Sequence, residues 1–196
     1  MTYIQHYNSP LGGILLAADE IGLTGLWFEG QKYFARDLSD ERVDQETPAL
    51  TEARRWLDIY FTGKEPDFLP PLHPTGSEFR KAVWEILLQI PYGQTTTYGE
   101  IARQLAEKQR LARMSAQAVG GAVGHNEISI IIPCHRVVGS DSSLTSRRQR
   151  QMCIRDRNWS APTCAVFSCR RKAPRFKWLC NRIFFSTGKI VISSRL

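Results

Sequence analysis

The stretch "PDFLPPLHPTG", residues 66–76, holds four of the ten prolines in a chain of 196 residues. Proline fixes φ and carries no N–H, so this stretch can neither continue a helix nor lie in the middle of a sheet. It is a linker or an extended connector, and the segments on either side must form their own elements. The length suits one domain of ordinary size or two small ones.

Before the connector, short apolar runs alternate with turn signals: "YIQHY", "NSPLGG", "ILLAA", "DEIG" and "LTGLWF". Such runs, bounded by Gly, Pro, Asn and Asp, read as strands of an antiparallel sheet. From Leu50, apolar residues return at Ala53, Trp56, Leu57, Tyr60 and Phe61, which is helical spacing, with Gly63 as the stop. Residues 1–75 therefore read as a small α+β unit.

After the connector, Thr75 and Glu78 have capping-box spacing, and Phe79, Val83, Ile86, Leu87 and Ile90 share one face of a helix expected over 77–89. "PYGQ" breaks it, and a second capping box, Thr97 with Glu100, opens a short helix with Ile101, Ala102 and Leu105 inside. Ser115 is an N-cap candidate for a third helix, "AQAVGGAVG", made of small residues that fit against something close. The two short helices and their connector have the outline of a helix-turn-helix. A strand expected over Ile128–Ile132 leads into Pro133 and Cys134.

Charge is distributed unevenly. Residues 1–75 carry 6 Lys and Arg against 12 Asp and Glu, residues 76–145 carry 7 against 6, and residues 146–196 carry 13 against 1. The net +7 thus sits in the tail, and the middle segment has little electrostatic steering beyond its helix N-termini. No early stretch looks like a signal peptide and no window approaches membrane-spanning length, so the expectation is a cytoplasmic protein without disulfides.

The segment "IIPCHRVVGS", residues 131–140, sets a thiol beside an imidazole at the end of an apolar run. Cys134 is either a buried structural cysteine or a nucleophile, and His135 either a core histidine or its base. Around it, "IIIPCHRVVG", "AVGGAVGHN", "TTTYGEIA" and "FRKAVWEILLQIPYGQ" together resemble the methylated-DNA–protein-cysteine methyltransferases, the O6-alkylguanine-DNA alkyltransferases. The resemblance runs from Met1 to about Thr145 and is strongest over Phe79–Gly139.

The resemblance implies a mixed α+β fold: an RNase H-like α/β domain over 1–75, then a winged helix-turn-helix-like DNA-binding and catalytic domain over 76–145. It implies an irreversible transfer of an alkyl group from O6 of guanine (or O4 of thymine) in double-stranded DNA to Cys134, once per molecule. A soft thiolate suits displacement from an ether-like oxygen. His135 would be its base through a water, and Asn126 would brace the active-site turn. Because backside attack cannot occur inside the stack, the base must be flipped out, with the helix-turn-helix in the minor groove. Tyr98 matches the tyrosine that helps rotate the nucleotide, and the backbone around Cys134 and Val137 would receive the guanine edge. Arg136, Ser115, Gln117, Gly120 and Gly121 complete the expected DNA- and substrate-binding set. No metal or organic cofactor is implied, no membrane partner, and a monomer.

Two positions and one stretch depart from the family pattern. Gln117 stands where many members have an arginine that fills the gap left by the flipped base, which predicts weaker DNA binding. Glu127 replaces a usual proline. From Ser146 the chain reads "SRRQRQMCIRDRNWSAP" in place of a glycine, a tyrosine and a helix bearing a glutamate that orients the histidine; Arg147 takes the tyrosine position, and Asp156 comes too early in sequence to match the glutamate. The expectation is that His135 lacks its carboxylate partner. "QMCIRDR" resembles a translated sequencing adapter, so residues 146–196 read as a non-family basic tail, irregular or disordered, from a frameshift or chimera. A nucleic-acid-binding extension and a zinc site are the other readings, the latter disfavoured because Cys153, Cys164, Cys169 and Cys180 lack close CxxC pairs. The rivals to repair are a DNA or lesion binder without catalysis, and an inactive, C-terminally damaged family member.

Overall fold

The computed structural model describes residues 1–36 and 38–140 together with Met152 and Asp156. All of these fall within one compact unit, Met1–Pro162. The expectations for the rest of 146–196, including Arg147 and the four tail cysteines, lie outside the described residues.

The N-terminal half is a four-stranded sheet of β1 (Thr2–Ser9), β2 (Gly12–Ala18), β3 (Leu23–Phe28) and β4 (Arg42–Asp44), in the order β3-β2-β1-β4. The first three strands form an antiparallel meander as the apolar runs predict. β4 pairs parallel to β1 through only three residues and has no sequence signal of its own. The unbroken run "ILLAA" in β2 is buried on both faces: Ile14, Leu16 and Ala18 enter the main core, while Leu15 and Ala17 pack with Trp27 under Ala35 and Leu38. Continuous apolar strands are expected where both faces are covered.

Helix α1 (Pro48–Phe61) starts at Thr47, whose side chain accepts from the Leu50 N–H, with Pro48 at the first helical position. It lays Leu50, Ala53, Trp56, Leu57 and Tyr60 on the sheet. Gly63, at φ +85°, ends it by donating its N–H to the Tyr60 carbonyl.

Helix α2 (Glu78–Leu88) spans the expected residues but is capped by Ser77, which accepts from the Arg80 N–H, and not by Thr75. A cap at Thr75 would need Gly76 to be helical, and its φ is +152°. The Thr75 hydroxyl instead donates to Glu127 at 2.9 Å. Helices α3 (Tyr98–Lys108) and α4 (Ala116–Gly124) begin at the expected caps: Thr97 accepts from the Glu100 N–H and Ser115 from the Ala118 N–H. The buried Trp84 indole N–H donates to the Ala122 carbonyl at 3.0 Å and ties α2 to α4.

The free edge of β3 joins the two halves. The proline-rich connector is an extended edge segment, with the Leu23 N–H on the Pro71 carbonyl and the His73 N–H on the Leu23 carbonyl, both at 2.8 Å. Gly22 allows this approach, since a Cβ there would stand 2.7 Å from the Pro71 oxygen. Farther along the same edge, the Leu26 N–H donates to the Glu127 carbonyl and the Ser129 N–H to the Leu26 carbonyl. The strand expected over Ile128–Ile132 does not form. Ile128 makes one bridge to Leu26, and the chain then turns through Ile130 at φ +70°. Its four isoleucines are buried in a core cluster that runs without a break through both halves of the unit.

Candidate active site

The turn before the cysteine is organised by Asn126. Its buried amide donates to the Ile128 and Ile132 carbonyls at 3.2 and 2.9 Å, and its side-chain oxygen accepts from the Ile128 N–H at 3.1 Å. One side chain thus closes a loop of backbone that makes little use of sheet pairing. The chain leaves this loop through Pro133 into a 3-10 turn, Cys134–Arg136.

After the turn, β6 (Val137–Val138) pairs in parallel with β5 (Thr96–Thr97), a contact no periodicity in the sequence announces. Thr97 is also the cap of α3, so the same two-residue ladder sets Tyr98 beside the cysteine turn. Tyr98 is half-buried, and its ring lies over Gly120 of α4, 3.8 Å from where a Cβ would be. Burial raises the Tyr98 phenol, and the neighbouring Cys134 raises it further.

Cys134 is partly buried, and among the described residues it is a free thiol. Burial pushes its pKa up, opposed by the Asn126 side chain and by the backbone amides of Cys134 and His135. His135 is buried, and burial drives its pKa down despite a carboxylate partner, so it rests as the neutral imidazole.

That partner is Asp156, which corrects the expectation that His135 lacks one. Asp156 Oδ2 lies 2.8 Å from His135 Nε2 and accepts from Arg136 Nε at 2.6 Å, while Oδ1 accepts from the Tyr60 hydroxyl at 2.8 Å. Burial alone would raise the Asp156 pKa, but the hydrogen bonds and charges of His135 and Arg136 outweigh it and hold the carboxyl below its ordinary value. An ionised Asp156 accepts the Nε2 proton and leaves Nδ1 as the basic nitrogen. The "PYGQ" turn lies against Asp156: a Cβ on Gly93, at φ +75°, would stand 3.0 Å from the Asp156 carbonyl oxygen.

The structure thus brings Cys134, His135, Asn126, Tyr98 and Gly120 together. Arg136 is placed differently from the expectation of a DNA- or substrate-contacting residue. It is buried, donates to Asp156 and to the Ile90 carbonyl at 3.0 Å, and lies 5.1 Å over the Tyr92 ring. Val137 is buried in β6. Ser115, Gln117 and Gly121 stand on the exposed side of α4, where nothing lies within 4 Å of a Cβ placed on Gly121. Asp156, Tyr60 and Tyr92 are the site residues that sequence reasoning missed; that Asp156 is the lone acidic residue after Asp141 was a usable signal. Among the described residues no group of three or more His, Cys, Asp or Glu is placed to hold a metal, and no helix is long and apolar enough to cross a membrane.

Residues 2–74 match the ribonuclease-like domain of 6-O-methylguanine DNA methyltransferase, and residues 78–159 match its DNA-binding domain, a range that reaches past Thr145 and includes Asp156. The chain is 43% identical over 144 residues to the methylated-DNA–protein-cysteine methyltransferase of Methanosarcina acetivorans, covering 73% of this chain and 87% of the relative. The Haemophilus influenzae protein of the same name is 40% identical over 144 residues, covering 73% and 76%. Among solved structures, the O6-methylguanine methyltransferase of Mycobacterium tuberculosis superposes with a TM-score of 0.69 at 35% identity, covering 83% of this chain and 96% of that one. The same organism's protein in complex with DNA gives 0.68 at 34% identity, covering 79% and 92%. The chain belongs to the methylated-DNA–protein-cysteine methyltransferase family.

Proposed function

We propose that this protein repairs DNA by moving one alkyl group from O6 of guanine to Cys134, in a single irreversible turnover. The observation that carries this reading is the buried row in which Asp156 holds His135 immediately beside Cys134. Cys134 rests as a thiol, because burial raises it, so the reaction begins with proton transfer to Nδ1 of His135 through a water. The imidazolium is stabilised by the ionised Asp156. The thiolate then attacks the alkyl carbon: the C–S bond forms, the C–O6 bond breaks, and the electron pair returns to the base. The guanine takes up the proton that left the thiol. No outside acid, metal or redox partner enters the balance.

The family resemblance and the exposure of α4 support the partner and site roles. Double-stranded DNA bearing the lesion lies across the exposed side of α4, by its minor groove, with Ser115, Gln117 and Gly121 towards it. Small residues permit close approach of sugar and phosphate. The flipped base lies against Tyr98 and the backbone near Cys134 and Val137. The protein acts as a monomer in the cytoplasm, in two functional parts, 1–75 and 76–145. Titrating the protein with a duplex carrying a radiolabelled O6-methylguanine tests the reading: label bound to protein saturates at one methyl per chain, whereas continued turnover or no protein-bound label contradicts it.

A further inference from the structure

We propose that Tyr60, on α1, is a positioning residue for alkyl transfer, fixing the Asp156 carboxylate so that its other oxygen meets His135. This rests on the function proposed above and extends it into the N-terminal half of the molecule.

The carboxylate is divided between its neighbours: Oδ1 takes the Tyr60 hydroxyl, and Oδ2 takes His135 and Arg136. A carboxylate held at Oδ2 alone can rotate about its Cβ–Cγ bond, and rotation would move that oxygen off the imidazole. The Tyr60 hydroxyl opposes the rotation. Its own position is fixed, because the ring stacks on Trp56 at 5.3 Å and meets Phe61 and Tyr92 edge-on at 5.4 and 6.4 Å. Tyr60 is wholly buried, and a phenylalanine would fill the same face of α1 without a polar atom to satisfy. The hydroxyl therefore has its use at Asp156, not in packing. Burial first, and then the Asp156 charge, raises the phenol, so it stays a donor through the working pH range.

Among the described residues, the titratable and charged groups facing Asp156 are His135 and Arg136 from the cysteine turn and Tyr60 from α1, with Tyr92 of the "PYGQ" turn beside Tyr60. Removing the hydroxyl leaves the carboxylate with one donor fewer. It then holds a proton more readily and draws the His135 proton more strongly. Both changes move the loss of activity on acidification to higher pH.

The test is single-turnover methyl transfer as a function of pH for the full-length protein, for Tyr60→Phe, and for Tyr7→Phe as a control. The Tyr7 hydroxyl bonds Asp58 on the exposed side of α1 and not Asp156, and phenylalanine keeps the ring that stacks on Phe61. The expected result for Tyr60→Phe is a rate lowered about tenfold at neutral pH and an acid limb moved to higher pH, with Tyr7→Phe unchanged in both. Placing 3,5-difluorotyrosine at position 60 keeps the ring and strengthens the donor, and should move the limb to lower pH. Limbs that coincide with the wild type in both variants overturn the inference, even if Tyr60→Phe is slower through loss of stability. An inactive wild type would instead overturn the proposed function.

Discussion

Asn126 shows how much one side chain can hold. Its amide and carbonyl oxygen make three bonds to the backbone of a turn whose isoleucines are all buried. Asn126→Ala would leave the Ile128 N–H and the Ile128 and Ile132 carbonyls without these partners, at a cost of about 2–4 kcal/mol. Urea denaturation should show that loss, with methyl transfer falling as well; a variant of unchanged stability would mean that the turn holds itself. Asn126, Cys134 and His135 were named through the family resemblance of the short motifs that carry them, "AVGGAVGHN" and "IIIPCHRVVG". Asp156 lies 21 residues beyond His135 and Tyr60 lies 96 residues before Asp156, and separations of that kind are set by packing, not by any repeat along the chain. Asp156 was set aside because its sequence offset differed from that of the family's glutamate, yet the geometry brings its carboxylate to the imidazole.

At the level of elements, the caps of α3 and α4 and the three main strands followed from pattern, because caps and turn-bounded apolar runs are local signals; the cap of α2 did not, since Gly76 leaves the helical region and Ser77 takes the place of Thr75. Ile128–Ile132 misled for a physical reason: an apolar run is buried equally well in a turn when a side chain such as Asn126 satisfies its backbone. The three-residue β4 and the two-residue β5/β6 ladder are too short to have a period. Helix α4 gives the sharpest test at this scale. Gly121 faces open space, so Gly121→Ala meets no obstacle and should stabilise the helix by up to about 1 kcal/mol. If DNA approaches that face closely, the same change weakens duplex binding. Opposite signs in a thermal melt and a fluorescence-anisotropy titration are expected; equal affinity for duplex would move the DNA-binding face away from Gly121.

Over the whole molecule, the buried site ties stability to pH. His135 ordinarily titrates at 6.5, and burial lowers it in the folded protein; Asp156 ordinarily titrates at 3.8 and is also lowered. For both, the unfolded chain binds the proton more readily, so stability is full above the unfolded value and is lost as pH falls through the folded one. The melting temperature should begin to fall below pH 6.5 and fall again in the carboxylate range, and Asp156→Asn should show a smaller second step, the remainder belonging to Asp19 and Glu100, whose carboxyls are also lowered. A melting temperature that stays flat or rises on acidification through pH 6.5 would contradict the burial of a neutral His135. The same network joins α1, the "PYGQ" turn and the cysteine turn, so the N-terminal half takes part in the site as well as in the core.

Intact-protein mass spectrometry after incubation with a duplex containing O6-methylguanine shows whether Cys134 accepts the alkyl group. The mass of one added methyl group is expected on the wild-type chain and none on Cys134→Ala. An unchanged mass from folded wild-type protein, or a methyl group that persists in Cys134→Ala, would contradict it.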